Sequence, residues 1–176
     1  MLDSDFIKSH VFDRSNPKMG DFHLKRMILY PPLWLDFSLP AGVTLNWQVI
    51  RFGGDSTDHV FNTYGGVYSF IVQPNIASHP LCSYLLYVGR TKRSFRERYL
   101  EYLRDLNKDS QNTRRPHVTV MLQKWESYLW FCYARVDGED AIKQTETALI
   151  TAYLPPTNKD LPGVLQQAVD NVILGN

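Results

Sequence analysis

Two tyrosines, one arginine and one glutamate stand in this chain where they could act together on a phosphodiester. Tyr68 and Tyr87 each lie near the end of a strand-like segment, Arg98 precedes Tyr102 by four residues on a helix-like one, and Glu146 interrupts an apolar stripe. Hydrolysing a phosphodiester requires an activated water, neutralisation of charge on the non-bridging oxygens, and help for the leaving oxygen. Arginine suits the second task, because its planar fork matches a phosphate and it stays charged in any site. A lone carboxylate completed by water and substrate oxygens suits Mg²⁺ or Mn²⁺. A tyrosine is a phenol at neutral pH, with a reference pKa of about 10, so it would need nearby cations to act as a base. It could equally orient the water.

Charge is distributed in a way that favours the same chemistry. Residues 88–115 hold nine of the nineteen Lys and Arg residues (Arg90, Lys92, Arg93, Arg96, Arg98, Arg104, Lys108, Arg114, Arg115) against four acids, a local +5, while the remainder of the chain is −4. A local basic field on a nearly neutral chain is the footprint of a polyanion site. The plain alternative is a solvated helix face of mixed charge.

The elements that must position these groups follow from pattern. Residues 34–39 alternate and read as a short edge strand, and residues 43–52, rich in β-branched and aromatic side chains, read as a stronger one. Gly65-Gly66 marks a bend or a close backbone approach. Beyond it, residues 67–72 put Tyr68, Phe70 and Val72 on one face, opposite Val67, Ser69 and Ile71. Residues 83–88 form the next strand, joined to the first as a hairpin. Ser94 followed by Glu97 is a capping box, so a helix starts there, with Phe95, Tyr99, Leu103 and Leu106 as its apolar stripe and Arg98 beside Tyr102 on an adjoining face. Residues 117–125 fit helix or strand, with helix favoured, and residues 128–136 read as a further strand. Asp137 is placed to cap a helix over 139–153, whose stripe of Ile142, Leu149, Ile150 and Tyr153 contains Glu146. A carboxylate in that stripe needs a partner, and Arg135 is one candidate. A last amphipathic helix is expected over 164–174.

In order, Gly66-Val67-Tyr68, Tyr87-Val88-Gly89-Arg90-Thr91, the segment from Phe95 to Tyr99 around Arg98, Glu146-Thr147-Ala148-Leu149-Ile150, and residues 155–158 resemble the GIY-YIG nuclease family. The resemblance covers roughly residues 64–160. It implies an α/β (α+β) fold with a small three-stranded antiparallel sheet flanked by helices, occupying 61–176, preceded by an N-terminal extension of strands and short helices over 1–60. It also implies DNA cleavage with one divalent ion, Mg²⁺ or Mn²⁺. In that frame Tyr68 is the general base or positions the water, Tyr87 lies near the scissile phosphate, Arg98 stabilises the transition state, Glu146 is the metal ligand and Asn158 braces the site. Arg90, Lys92, Arg93, Arg96, Arg114 and Arg115 become DNA contacts. Both motif isoleucines are valine here, and Tyr102 stands where many members carry histidine, as in some restriction-type members. Arg96, half a turn from Arg98, leaves the identity of the transition-state arginine open.

A stand-alone restriction-type or genome-defence endonuclease is the leading expectation, with dimerisation to cut both strands. A structure-specific repair or recombination nuclease and a non-catalytic module of the same fold, binding DNA or protein, are the alternatives. Cys82 and Cys132 lack metal-ligand or disulfide-scaffold spacing, and the five histidines are scattered singly. No leader-like apolar run opens the chain and no apolar stretch is long enough to span a bilayer, so a cytoplasmic location is the default expectation.

Overall fold

The structure is a computed structural model that describes residues 27, 29–60, 64–74 and 82–158. Four strands form one antiparallel sheet: β1 (Gln48–Arg51), β2 (Tyr64–Val72), β3 (Tyr84–Ser94) and β4 (Leu129–Arg135), in the order β1-β4-β2-β3. Four α-helices accompany it among the described residues: α1 (Pro32–Leu35), α2 (Phe95–Leu106), α3 (Pro116–Trp125) and α4 (Glu139–Tyr153). The mixed α/β class expected from pattern is therefore present, but the sheet has four strands and not three. Residues 48–51, in the stretch read as an extension, pair with β4 from Gln48↔Tyr133 to Arg51↔Trp130. The strand expected over 43–52 is shorter because Val43 and Leu45 pack on a hydrophobic cluster instead of continuing the ladder.

The expected edge strand over 34–39 is instead the single helical turn α1. Pro32 sits in its first turn, where the fixed φ of proline suits a helix and its missing N–H costs nothing. The Trp34 indole donates to the Ala152 carbonyl at 2.9 Å, fastening this turn to the end of α4.

β2 and β3 are the hairpin that pattern predicts, but β3 runs six residues past Val88, with Tyr64 opposite Ser94 and a register shift between Tyr64 and Gly66. Gly66 makes that shift possible. At φ 150° a Cβ there would lie 2.2 Å from the Ala134 carbonyl oxygen and 2.6 Å from the Phe95 ring. Strand then passes to helix with no loop, since Ser94 ends β3 and caps α2, its hydroxyl accepting from the Glu97 N–H while the Glu97 carboxylate accepts from the Ser94 N–H. Segment 116–125 is the helix α3, burying Val118, Thr119, Met121 and Leu122.

The two faces of the sheet hold separate clusters. Tyr68, Phe70, Phe131 and Tyr133 pack with Phe95, Tyr99 and Tyr102 of α2 and with Val118, Met121 and Leu122 of α3. Val67, Val88 and Ala134 pack instead with Ile142 and Leu149 of α4. Two expectations about α4 need correction. Asp137 does not cap it: Gly138, at φ 88°, is the N-cap and the Asp137 carboxylate accepts from Arg135 Nε at 2.9 Å. Its buried stripe is Ile142, Thr145, Leu149 and Ala152 in helical order, whereas Tyr153 is exposed, because the helix ends at the left-handed Leu154 before Pro155. Both cysteines are free; burial pushes the Cys132 thiol up to about 11, with a hydrogen bond involving Ser69 pulling the other way. The helix expected over 164–174 and residues 1–26 of the expected N-terminal extension lie outside the described residues.

Candidate active site

Tyr68 stands mid-strand on β2 directly across from Gly89 on β3, and its ring lies over that glycine. A Cβ at position 89 would come within 2.6 Å of the Tyr68 hydroxyl, so the glycine is what lets the ring lie there. The hydroxyl is 2.8 Å from that of Tyr102 on α2, and both residues are buried. Tyr87, also on β3, places its ring centroid 6.4 Å from that of Tyr68. The Arg98 guanidinium lies 5.9 Å from the Tyr68 ring centroid and 5.8 Å from that of Tyr102. Period-2 alternation on β3 and a four-residue step on α2 thus converge on one aromatic and cationic cluster.

Arg98 is held from two sides. Its Nη1 donates to Glu101 at 2.7 Å and its Nη2 reaches the Arg90 carbonyl at 3.5 Å. Its Nε is buried with no hydrogen-bond partner among the described residues, an unmet donor beside the two phenols. Arg96 points elsewhere, to Asp58 at 2.7 Å, and has no part in the cluster.

Ionisation inside the cluster follows from burial. Removal from water raises the pKa of Tyr68 well above that of a free phenol, with Tyr87 adding to the rise, while Arg98, the Tyr102 hydroxyl and Arg115 pull it back. Tyr102 is raised as well, burial again leading. For Glu101, burial is outweighed by Arg93 and Arg98, which hold its carboxyl below the usual range.

Glu146 comes from α4, on the opposite side of β3. Its Oε2 is 3.1 Å from Arg90 Nη1, so Arg90 and not Arg135 is its partner. Burial raises the Glu146 pKa above the usual carboxyl value, and Arg90 and then Arg98 act against that rise. Its other oxygen, Oε1, makes no ion pair or hydrogen bond among the described residues. Among those residues no group of three His, Cys, Asp or Glu side chains gathers. A single carboxylate with one open oxygen fits a hard divalent cation that keeps its waters better than it fits zinc, which takes nitrogen and sulfur ligands.

Asn158 touches none of these groups directly. Its Oδ1 accepts from the Val88 N–H at 2.9 Å and its Nδ2 donates to the Val88 carbonyl at 2.7 Å, while the Thr157 N–H donates to Leu86 O at 3.0 Å. The segment after α4 therefore covers the open edge of β3 beside Tyr87, meeting backbone groups that an edge strand leaves unpaired.

The basic residues separate into paired and open ones. Arg90 is engaged by Glu146, Lys92 by Glu139, Arg93 by Glu101 and Arg96 by Asp58. Arg114 is in no ion pair among the described residues and is exposed. Beside Arg98 opens a cleft of ≈ 700 Å³ lined by Arg93, Arg98, Arg104, Lys108, Arg114 and Arg115 with Glu101, Asp105, Asn112 and Thr113. Six cations against two carboxylates make it a surface for anions. Sequence spacing put Arg98 beside Tyr102, four residues apart on a helix. It carried no sign that Arg115 reaches Tyr102, to which its Nη1 donates at 2.9 Å. No helix among the described residues is long and apolar enough to cross a membrane. Compared with family models, curated proteins and solved structures, the chain matches none.

Proposed function

We propose that this chain is a metal-dependent DNA endonuclease, with the stand-alone restriction-type enzymes as its nearest functional class. The observation that carries the reading is the gathering of Tyr68, Tyr87, Tyr102 and Arg98, with its unmet Nε, beside a cationic cleft. A DNA strand laid in the cleft would meet Lys108, Arg104 and Arg114 through its phosphates and bring one phosphate to Arg98. Arg98 then balances the charge that builds on the non-bridging oxygens as water attacks. Tyr68, kept as a phenol by the burial that raises its pKa, orients that water, and Tyr87 helps to hold the phosphate. A divalent ion bound at Glu146 would supply positive charge for the leaving 3′ oxygen. Asn158 holds β3, and with it Tyr87, in place. Cutting both strands requires two such centres, so a homodimer, formed at least transiently on DNA, is part of the proposal.

The test incubates supercoiled plasmid and linear phage DNA with wild type, Arg98→Ala and Glu146→Ala, in Mg²⁺, in Mn²⁺ or in chelator. Each variant is expected to lose about 10²-fold or more in rate, the usual cost of removing a transition-state donor. Equal nicking by all three proteins, or none by wild type on any DNA, sinks the proposal. Discrete fragments mark a restriction enzyme, and cleavage confined to flaps or junctions marks a structure-specific one. One observation favours a second reading, a DNA-binding module without catalysis: Arg90 already occupies one oxygen of Glu146. Tight DNA binding that ignores Mg²⁺ and survives Glu146→Ala would select it.

A further inference from the structure

The Tyr68–Tyr102 pair does not end at Tyr102. Arg115, at the start of α3, donates from Nη1 to the Tyr102 hydroxyl at 2.9 Å and stacks on the Tyr102 ring, its guanidinium carbon 4.7 Å from the centroid. Its Nη2 reaches Asp105 at 3.5 Å, which fixes the plane of the fork. A guanidinium only donates, so Tyr102 Oη is an acceptor in this contact. The Tyr102 proton then has a single neighbour, Tyr68 Oη at 2.8 Å, and the Tyr102 side chain is wholly buried. In the reverse arrangement Arg115 and Tyr68 would both donate into Tyr102, leaving the Tyr102 proton buried without an acceptor. Either order leaves one phenol proton without an acceptor among the described residues, but donation by Arg115 polarises the Tyr102 hydroxyl toward giving its own proton on, so the order Arg115 to Tyr102 to Tyr68 is favoured and leaves the open proton on Tyr68.

We infer that Arg115 is a positioning residue of the proposed centre: through the Tyr102 hydroxyl it fixes the direction in which the buried phenols share their protons, so that Tyr68 Oη receives a hydrogen bond and keeps its own proton for exchange. The inference rests on the hydrolytic reading above for its consequence, though not for its geometry. A phenol oxygen that accepts a hydrogen bond is better able to carry negative charge. The charged and titratable groups that bear on Tyr68 come from each neighbouring element: Tyr87 from β3, Arg98 and Tyr102 from α2, and Arg115 from the start of α3. Arg115 also lines the cationic cleft, so one side chain joins the surface offered to DNA to the tyrosine offered to the water.

Single-turnover nicking of supercoiled plasmid in Mg²⁺ separates positioning from plain phosphate binding. Arg115→Met is expected to slow the step by about 10–100-fold, as loss of a supporting hydrogen bond does elsewhere. The protein concentration for half-maximal rate should change less than about threefold, the pattern of an interaction made in the transition state. Arg115→Lys should recover part of the rate, and Arg115→Met with Tyr102→Phe should be no slower than Tyr102→Phe alone. Additive slowing in the double variant, or an unchanged rate with weaker binding, would overturn the inference. A second measurement needs no activity. With tyrosine labelled with ¹³C at Cζ, Arg115→Met should move the resonances of both Tyr102 and Tyr68, whereas movement of Tyr102 alone would overturn it. If wild type cuts no DNA, the endonuclease proposal falls and the spectra still decide the relay.

Discussion

The two faces of the sheet are made of different materials and do different things. On one, Phe70 meets Tyr102 edge to face with centroids 5.0 Å apart, Tyr99 meets Phe131 at 5.3 Å, and Phe95 lies 4.9 Å from Tyr133. On the other, Val67, Val88 and Ala134 let α4 approach with short aliphatic side chains. Aromatic packing carries polar tips into the interior, and each tip must be matched. Tyr99 Oη accepts from the Gly53 N–H at 2.8 Å and donates to the Gly53 carbonyl at 2.7 Å, and Arg115 donates to Tyr102, which is paired with Tyr68. Among the described residues the aliphatic face has no such network: Thr145 Oγ1 is buried there without a partner, and Glu146 has Arg90 alone. Hydroxyls on the aromatic face are thus both structural and available for chemistry, while the aliphatic face brings one carboxylate to the rim of β3.

The largest effect tests the position both faces depend on. Gly66→Ala would drive a methyl into the Ala134 carbonyl and the Phe95 ring, so a loss above about 4 kcal/mol is expected, enough to abolish a cooperative thermal transition. A melting curve like that of wild type would show that β2 and β4 can separate there at little cost.

Removing one hydroxyl from each face sharpens the contrast. Tyr68→Phe leaves the Tyr102 proton without its acceptor and should cost about 1–3 kcal/mol in urea denaturation. Thr145→Val removes a hydroxyl that has no partner among the described residues and should be neutral or stabilising. Equal losses would mean that the faces do not differ in how they treat polar groups.

Helix starts differ in the same way. Ser94→Ala removes the hydroxyl half of a capping box, leaving the backbone N–H of residue 94 on the Glu97 carboxylate, and should cost about 1 kcal/mol, whereas Asp137→Ala, which breaks only an exposed pair with Arg135, should change stability by less than about 0.5 kcal/mol. Denaturant midpoints of the two variants check this directly, and a larger loss from Asp137→Ala would restore it as the cap of α4.

The smallest effect has the opposite sign. Burial raises the folded pKa of Glu146, with Arg90 and Arg98 opposing, so the folded state binds this proton more tightly than the unfolded chain does. Its contribution to stability is fully present below the unfolded pKa and is lost as pH rises through the raised folded value. Glu146→Gln should therefore raise the melting temperature by a few degrees at about pH 8 and make little difference near pH 4. A lower melting temperature at the higher pH would mean that the Arg90 pair outweighs desolvation.

Local chemistry was legible wherever it is local. The bounds of α4, the box that opens α2, the hairpin and the need for glycine at 65–66 all follow from propensity, spacing and backbone freedom over a few residues. The faces of β2 follow from period 2, which is why Tyr68 and Phe70 could be placed together. Residues 34–39 were misread as a strand because alternation over so short a run also fits the end of one helical turn led by proline at 32. Tyr102 was assigned to an adjoining face, yet it is buried beneath Arg115, a burden that no spacing within α2 could announce.

By itself the sequence determined which groups are available and which segments carry them: two tyrosines on paired strands, an arginine on a capped helix, a carboxylate on another. Only the tertiary structure decided their partners. That Arg90 takes Glu146 while Arg135 takes Asp137, that Arg96 turns to Asp58 while Arg98 lies beside the phenols, and that β1 joins β4 across about eighty residues are long-range choices. They are fixed by which side chains the packed sheet and helices bring within a few ångströms, a quantity that local pattern does not contain.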